Sequence, residues 1–478
     1  MGVKKTFFKN AAVFSGYSYI SWFFDSLVST VILSRFLTPE EYGFVALINI
    51  FSGFIALFAN TGLSYAIIRS DYGLTYQKIV FNLTTWIGLV LAISLVLLAY
   101  PITLIYGKPD LFWPTVVISI QFITNSVNIV PLAILEKRLD FSYIGLINLI
   151  SVLFTIALMI IMAVLDFSYW SLIVPLVIQP LFKHILIERR VKFGFHIYGW
   201  KLIKLALKKV RSLLENISIF NFINYFARNA DNFAIGKFYG EVSLGLYDRA
   251  YKFLYMARRL VNATLGPVLM PSLMDAKSKG EDIKSHFLDI LGMLNFINFI
   301  IAVPLILFAR PIVLILWGND WIGVADFMPY IGAIIPLQTL SIAAMDLYVI
   351  EKKERALVTL EIPLTMTLIV GIVVGTFFSA LHIIRFYALA FILIQTPLSL
   401  YFGHYKLFKY PAGQILKFWT PKLLIPTGLV FSIWFGNVYI SAALLALSFI
   451  ETLATQGKDI KEIFVLIKGK LSSSKNKS

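Results

Sequence analysis

The 478-residue sequence has no cysteine. That excludes disulfides, thiolate nucleophiles and cysteine-held metals. Its five histidines are scattered and no His-Glu-x-x-His occurs, so no metal centre is expected. A glycine-rich loop ending in Lys-Ser or Lys-Thr is also missing, which removes the usual route to nucleotide hydrolysis. No polar connection is long enough to hold a catalytic domain. The expectation is a protein that is not an enzyme and carries no cofactor. Charge is scarce as well, at 14% of residues, and acids are the scarcer sign, with 26 Asp and Glu against 42 Lys and Arg.

What is abundant is apolar surface. Apolar residues make up 59% of the chain and mean hydropathy is +0.81. A soluble fold is about half apolar and could not bury this much. A bilayer can, and a helix needs roughly 20 apolar residues to cross it. Stretches of that kind recur from Ala12 to Leu453, and they divide into about fourteen candidate spans. The first lacks a clear cleavage site and is expected to stay as a helix. The net charge of +16 does not point to nucleic acid, because the lysines and arginines sit in short connections between apolar runs. Basic residues there set topology and touch anionic lipid. With Lys4, Lys5 and Lys9 inside, the even-numbered connections hold most of the basic residues, including Lys137, Arg138, Arg189, Arg190, Lys352 and Lys353. Both termini are therefore expected in the cytoplasm, with the spans in the cytoplasmic membrane.

The longest connection splits the chain. The expected parts are a first lobe of six spans over 1–195, a basic linker over 196–210, a second lobe over 211–410, two further spans over 411–456 and a basic tail over 457–478. A weak repeat relates the lobes. Leu33-Ser34-Arg35-Phe36 leads after six residues to Gly43, and Ile235-Gly236-Lys237-Phe238 leads after the same gap to Gly245. Leu135-Glu136-Lys137 is echoed by Ile350-Glu351-Lys352. An even number of spans per lobe makes the repeat parallel.

Polar residues inside the spans carry the functional signal, since such residues are costly in lipid and face a cavity or a partner. The seventh span carries Asn221, Asn224, Arg228 and Asp231 on one helix face. The eighth carries Arg249, Lys252 and Arg259 in a stripe, which suits a diphosphate or an acidic sugar. Pairing of Arg228 with Asp231, or of Arg249 or Lys252 with Asp248, is the alternative. Asp25 lies near the middle of the first span and maps by the repeat within about one residue of Arg228. It could be a proton carrier or half of a fixed ion pair. Gln121, Asn125 and Asn128 in the fourth span, and Gln338, Ser341 and Asp346 in the tenth, suit either a wet cavity or interhelical hydrogen bonds.

Three stretches resemble a known family. They are Leu33 to Gly43 with Thr61-Gly62-Leu63-Ser64-Tyr65-Ala66; Leu135-Glu136-Lys137-Arg138-Leu139-Asp140-Phe141; and Arg228-Asn229-Ala230-Asp231-Asn232 running on through Gly245-Leu246-Tyr247 to Pro271. The chain resembles the polysaccharide-export (Wzx-type) flippases of the MATE-like (MOP) superfamily. The resemblance implies an all-α polytopic fold of two six-helix lobes around a central cavity; the two further C-terminal spans read from the sequence depart from that twelve-span core. It implies alternating access and a polyprenyl-diphosphate-linked oligosaccharide as substrate, with Arg228, Arg249, Lys252, Arg259, Asn125 and Gln121 as substrate-binding candidates. Coupling to a proton or sodium gradient would fall to Asp25 and Asp231. Anionic membrane lipids and glycan polymerase machinery are the partners it suggests. The rival readings are a lipid II-type or other ion-coupled exporter of the same superfamily, a cation-coupled drug exporter, and a membrane-embedded glycan polymerase or glycosyltransferase. Like-charge repulsion from the eighth-span stripe disfavours cationic drugs, and the short outside connections disfavour the polymerase.

Overall fold

The computed structural model describes residues 2–59, 63–69, 73–194, 219–280, 283–451 and 454. Among them there are helices and turns and no strand. The linker expected over 196–210 and the tail over 457–478 lie outside the described residues. In chain order the helices are α1 (Gly2–Phe23), α2 (Ser29–Leu33), α3 (Pro39–Ala56), α4 (Leu63–Arg69), α5 (Leu74–Tyr106), α6 (Phe112–Lys137), α7 (Phe141–Val164) and α8 (Trp170–Val191). There follow α9 (Ile219–Ser278), α10 (Ile283–Leu307), α11 (Ala309–Leu316), α12 (Val324–Ile350), α13 (Glu354–Gly375), α14 (Ala380–Ala390), α15 (Thr396–Ser399) and α16 (Ala412–Trp434). The last is the apolar helix α17 (Val438–Glu451).

Among the described residues, seven helices are long and apolar enough to cross a membrane, including Leu74–Tyr106, Phe141–Val164 and Ala380–Leu407. The chain is a multi-pass all-α membrane protein, and fourteen is an approximate count of its spans. Large apolar side chains such as Leu97, Trp113 and Val370 are exposed on these helices, as lipid-facing surface requires. The expected seventh and eighth spans form α9, whose helical geometry is interrupted at Gly240 (φ 79°, ψ 179°). That left-handed φ is open to glycine and strained for a side chain.

Local chemistry fixes the helix ends. Thr38 caps α3: its hydroxyl accepts from the Glu41 amide, the Glu41 carboxylate accepts from the Thr38 amide at 2.7 Å, and Pro39 opens the first turn. Gly107 in the left-handed region (φ 67°) stops α5. Between α1 and α2 the chain runs through a π-helical turn, Phe24–Val28.

The chain divides into two compact units. The first comprises Met1–Gly245 with Leu316–Trp321. Here α5 packs on α6, α6 on α8, and α7 on both α1 and α8. A core of Leu63, Ile67, Val80, Phe81, Val130 and Ile134 fills the space among α4, α5 and α6. The inserted Trp321 is fully buried and donates from Nε1 to the Ser34 carbonyl at 3.1 Å. The second unit comprises Leu246–Ile315 and Ile322–Ser478. In it α10 packs on α12, α13 on α14, and α16 on α12.

Candidate functional site

The first unit holds a partly open cavity of about 560 Å³, lined mainly by α3, α5, α6 and α8. Two glycines shape it. Gly88 lets α5 approach α6 until a Cβ there would meet Ser126 and the Phe122 carbonyl, and a Cβ on Gly53 would meet the Tyr225 hydroxyl. That hydroxyl donates to the Ile50 carbonyl at 2.5 Å. The polar wall is amide and hydroxyl in character: Asn49, Ser52, Thr84, Gln121, Asn125 and Asn128. A helix with a continuous apolar face would pack against its neighbour and leave no space. Gln121, Asn125 and Asn128 recur at steps of four and three, so α6 presents one polar face to the cavity.

The amide of Asn128 is fixed. Its Nδ2 donates to the Pro180 carbonyl of α8 at 2.8 Å and to the Thr124 carbonyl at 3.2 Å, and its Oδ1 lies 3.2 Å from His184 Nδ1. Asn125 is exposed and Gln121 half-buried, so both present side chain to the cavity. The one charged group on this wall, among the described residues, is Lys183 of α8. Glu136, at the end of α6, acts on it electrostatically.

Lys183 is absent from the candidates read from sequence. It stands close to the basic run Arg189-Arg190, where a lysine reads as a loop or snorkelling residue. The available signal was its position, four residues short of the end of an apolar run that closes at Ile187. Glu136 was visible as part of the repeat echo, without a reason for its charge.

The remaining candidates are dispersed. Asp25 lies within the π-helical turn and is exposed. Turns of this kind occur often at functional sites. Arg228 on α9 is exposed, whereas Asp231 is 2% exposed and accepts from the Asn232 amide at 2.8 Å. The side chains of Asn221, Asn224 and Asp346 lie outside the described residues. In the second unit the cationic stripe runs from interior to surface: Arg249 is fully buried, Lys252 half-buried and Arg259 exposed. A ladder of Tyr247, Tyr251 and Tyr255 runs beside it, with ring centroids 5.2 and 5.4 Å apart. Gln338 donates to the Tyr387 hydroxyl at 2.8 Å and so joins α12 to α14. Of the two polar stripes that matched by the repeat, the one on α6 lines a cavity and this residue of the other makes an interhelical bond.

The family model described as "Polysaccharide biosynthesis protein" matches residues 32–326. The chain belongs to that family. It is 23% identical over 303 residues to the succinoglycan biosynthesis transport protein ExoT of Rhizobium meliloti, covering 62% of this chain and 59% of that one. It is 21% identical over 303 residues to the lipopolysaccharide biosynthesis protein WzxC of Escherichia coli, covering 62% and 60%. The chain thus spans about three fifths of the length of the curated relatives it matches. Among solved structures it is similar to an inward-facing multidrug resistance MATE family transporter of the MOP superfamily, with a TM-score of 0.58, 14% identity, and coverage of 81% of this chain and 95% of that one. The fold is therefore that of the MOP transporters. The family match takes in α3 to α8 and with them the whole polar cavity.

Proposed function

We propose that this polysaccharide biosynthesis family member is a flippase. It moves a polyprenyl-diphosphate-linked oligosaccharide from the inner to the outer leaflet of the cytoplasmic membrane by alternating access. The observation that carries the reading is a cavity with amides and hydroxyls set among apolar side chains on its wall, held within helices whose outer faces are apolar. Such a compartment solvates sugar hydroxyls at a depth where lipid cannot. The lipid tail stays in the bilayer and its transfer costs little. The relatives, a succinoglycan biosynthesis transport protein and a lipopolysaccharide biosynthesis protein, support a glycan as cargo.

In this reading Lys252 and Arg259 engage the diphosphate, with the buried Arg249 behind them and Arg228 as a further contact. Gln121 and Asn125 bond the sugars. Moving the head group needs no covalent step, so no catalytic residue is assigned. Asp25 and Asp231 are the acids for coupling to a proton or sodium gradient. Both termini are cytoplasmic, where basic connections draw anionic lipid and where glycan assembly enzymes deliver the substrate. A cationic drug is a poor alternative cargo, because the one charge on the cavity wall, among the described residues, is itself a cation.

The test is reconstitution of the purified chain in liposomes with a fluorescent polyprenyl-diphosphate oligosaccharide, comparing wild type with Lys252→Ala and Arg259→Ala. Flipping above empty liposomes that falls at least tenfold in both folded variants is the expected result. Wild-type liposomes indistinguishable from empty ones, under gradients of either sign, would refute the flippase reading.

A further inference from the structure

The cavity of the first unit carries information about the cargo beyond its being a glycan. Its volume of about 560 Å³ falls within the range of roughly 300–1,000 Å³ typical of small-ligand sites. Neutral hydrogen-bonding groups dominate its polar wall, and the single charged side chain on it, among the described residues, is Lys183. Glu136 acts on that lysine electrostatically without itself lining the cavity. Half-buried Lys183 thus lines the cavity within electrostatic reach of an acid on α6. A charge inside a span is costly unless it has a function or a partner.

The charge balance selects the ligand. A diphosphate carries more than one negative charge and is best held by several cations, arginine above all. Here it would meet one lysine and, behind that, the repulsion of Glu136. A carboxylate carries a single charge and matches one ammonium. The amides of Gln121 and Asn125 suit ring hydroxyls, as donors and acceptors together. Asn128 is committed to α8 and keeps this wall in shape.

We propose that this cavity is a binding site for one carboxylate-bearing sugar, a hexuronate or a sugar with an acidic substituent. Its carboxylate pairs with Lys183 and its hydroxyls bond Gln121 and Asn125. The proposal rests on the glycan-flippase reading and adds to it that the transported glycan is acidic. The diphosphate is left to the cationic residues of the second unit. Glu136 attracts the same ammonium and so favours release of the acidic sugar.

The test measures binding of two synthetic trisaccharides to the purified full-length chain in detergent. One is terminated by glucuronate and the other by glucose, and neither carries lipid. Wild type is expected to prefer the glucuronate form by at least about tenfold, the worth of one hydrogen bond to a charged group. Lys183→Gln should abolish the preference while leaving the glucose form unaffected, and Lys183→Arg should keep it. Should Lys183→Gln fail to fold, Glu136→Gln still decides, because removing the competing acid should raise the preference. Equal wild-type affinity for the two sugars would overturn the proposal. So would a preference that survives Lys183→Gln or does not rise in Glu136→Gln. Displacement of the glucuronate form by inorganic diphosphate at equal concentration would assign the cavity to the lipid head and also overturn it. Flipping of a polyprenyl-diphosphate oligosaccharide that bears glucuronate, by the same preparation, separates the two ideas: retained flipping without acid preference sinks the site alone, and acid preference without any flipping of this substrate sinks the flippase reading alone.

Discussion

Gly43 and Gly245 pack reciprocally in the first unit: a Cβ on Gly43 would overlap the backbone carbonyl of Glu241, and one on Gly245 would overlap that of Pro39. The two glycines hold equivalent places in the repeat, and so do Pro39 and Glu241. The helix segments therefore cross about a local two-fold relation at a distance that only hydrogen side chains permit. An ion pair between Lys108 and Glu241 flanks the crossing.

Gly43→Ala and Gly245→Ala are each expected to destabilise the protein. Backbone on both sides cannot yield as a flexible side chain would, so the cost should fall at or above the roughly 1–3 kcal/mol of ordinary overpacking. Gly16→Ala is the control, since nothing lies within 4 Å of a Cβ there. Thermal unfolding in one detergent compares all three. Two neutral glycine variants beside a neutral control would mean that the crossing is looser than described.

Lys422 and Glu451 form a deeply buried ion pair at 3.0 Å, with side chains 4% and 15% exposed. It ties α16 to α17, and the Lys422 ammonium also lies 4.0 Å over the Phe418 ring. Lys422→Met strands an acid and should cost about 3–5 kcal/mol, while the double change with Glu451→Leu should recover most of that loss. Unfolding of the single and double variants gives the coupling. Additive losses would show that the pair contributes nothing as a pair.

Trp321→Phe keeps the edge-on packing against Tyr42, whose ring lies 5.3 Å away, and removes the donor to the Ser34 carbonyl. The expected loss is about 1–3 kcal/mol, because a buried carbonyl is left without that bond. A loss in Trp321→Leu more than twice that of Trp321→Phe would make packing and not the hydrogen bond the larger factor.

Asp25 is exposed in its π-helical turn, so Asp25→Asn should leave the unfolding temperature unchanged. If Asp25 takes up the coupling proton, the variant's transport rate under an imposed pH difference should equal its rate without one. An intact response to the gradient would move the coupling role to Asp231 or elsewhere.

Much of the fold was legible because lipid imposes a simple rule: long apolar runs are helices, and basic residues gather in the connections. The polar face of α6 was legible for the same reason, since amides are conspicuous in such a run. The electrostatic reach of Glu136 to Lys183 was not. Each stands near the basic end of its helix, where charge reads as solvated, and only the packing of α6 on α8 brings the two within electrostatic reach. Lys422 and Glu451 escaped notice likewise. The depth of Arg249 was also hidden, because spacing gives the face a residue occupies and not what covers that face.

The π-helical turn at Phe24–Val28 holds one more residue than an α-helical turn would. Sequence that precedes it is therefore displaced by one position relative to the unbroken α-helical stretch of α9 that the repeat sets against it. By the repeat read from the sequence, an extra residue in this turn accounts for the single-position offset between Asp25 and Arg228, and sets an acid in one half against a base in the other.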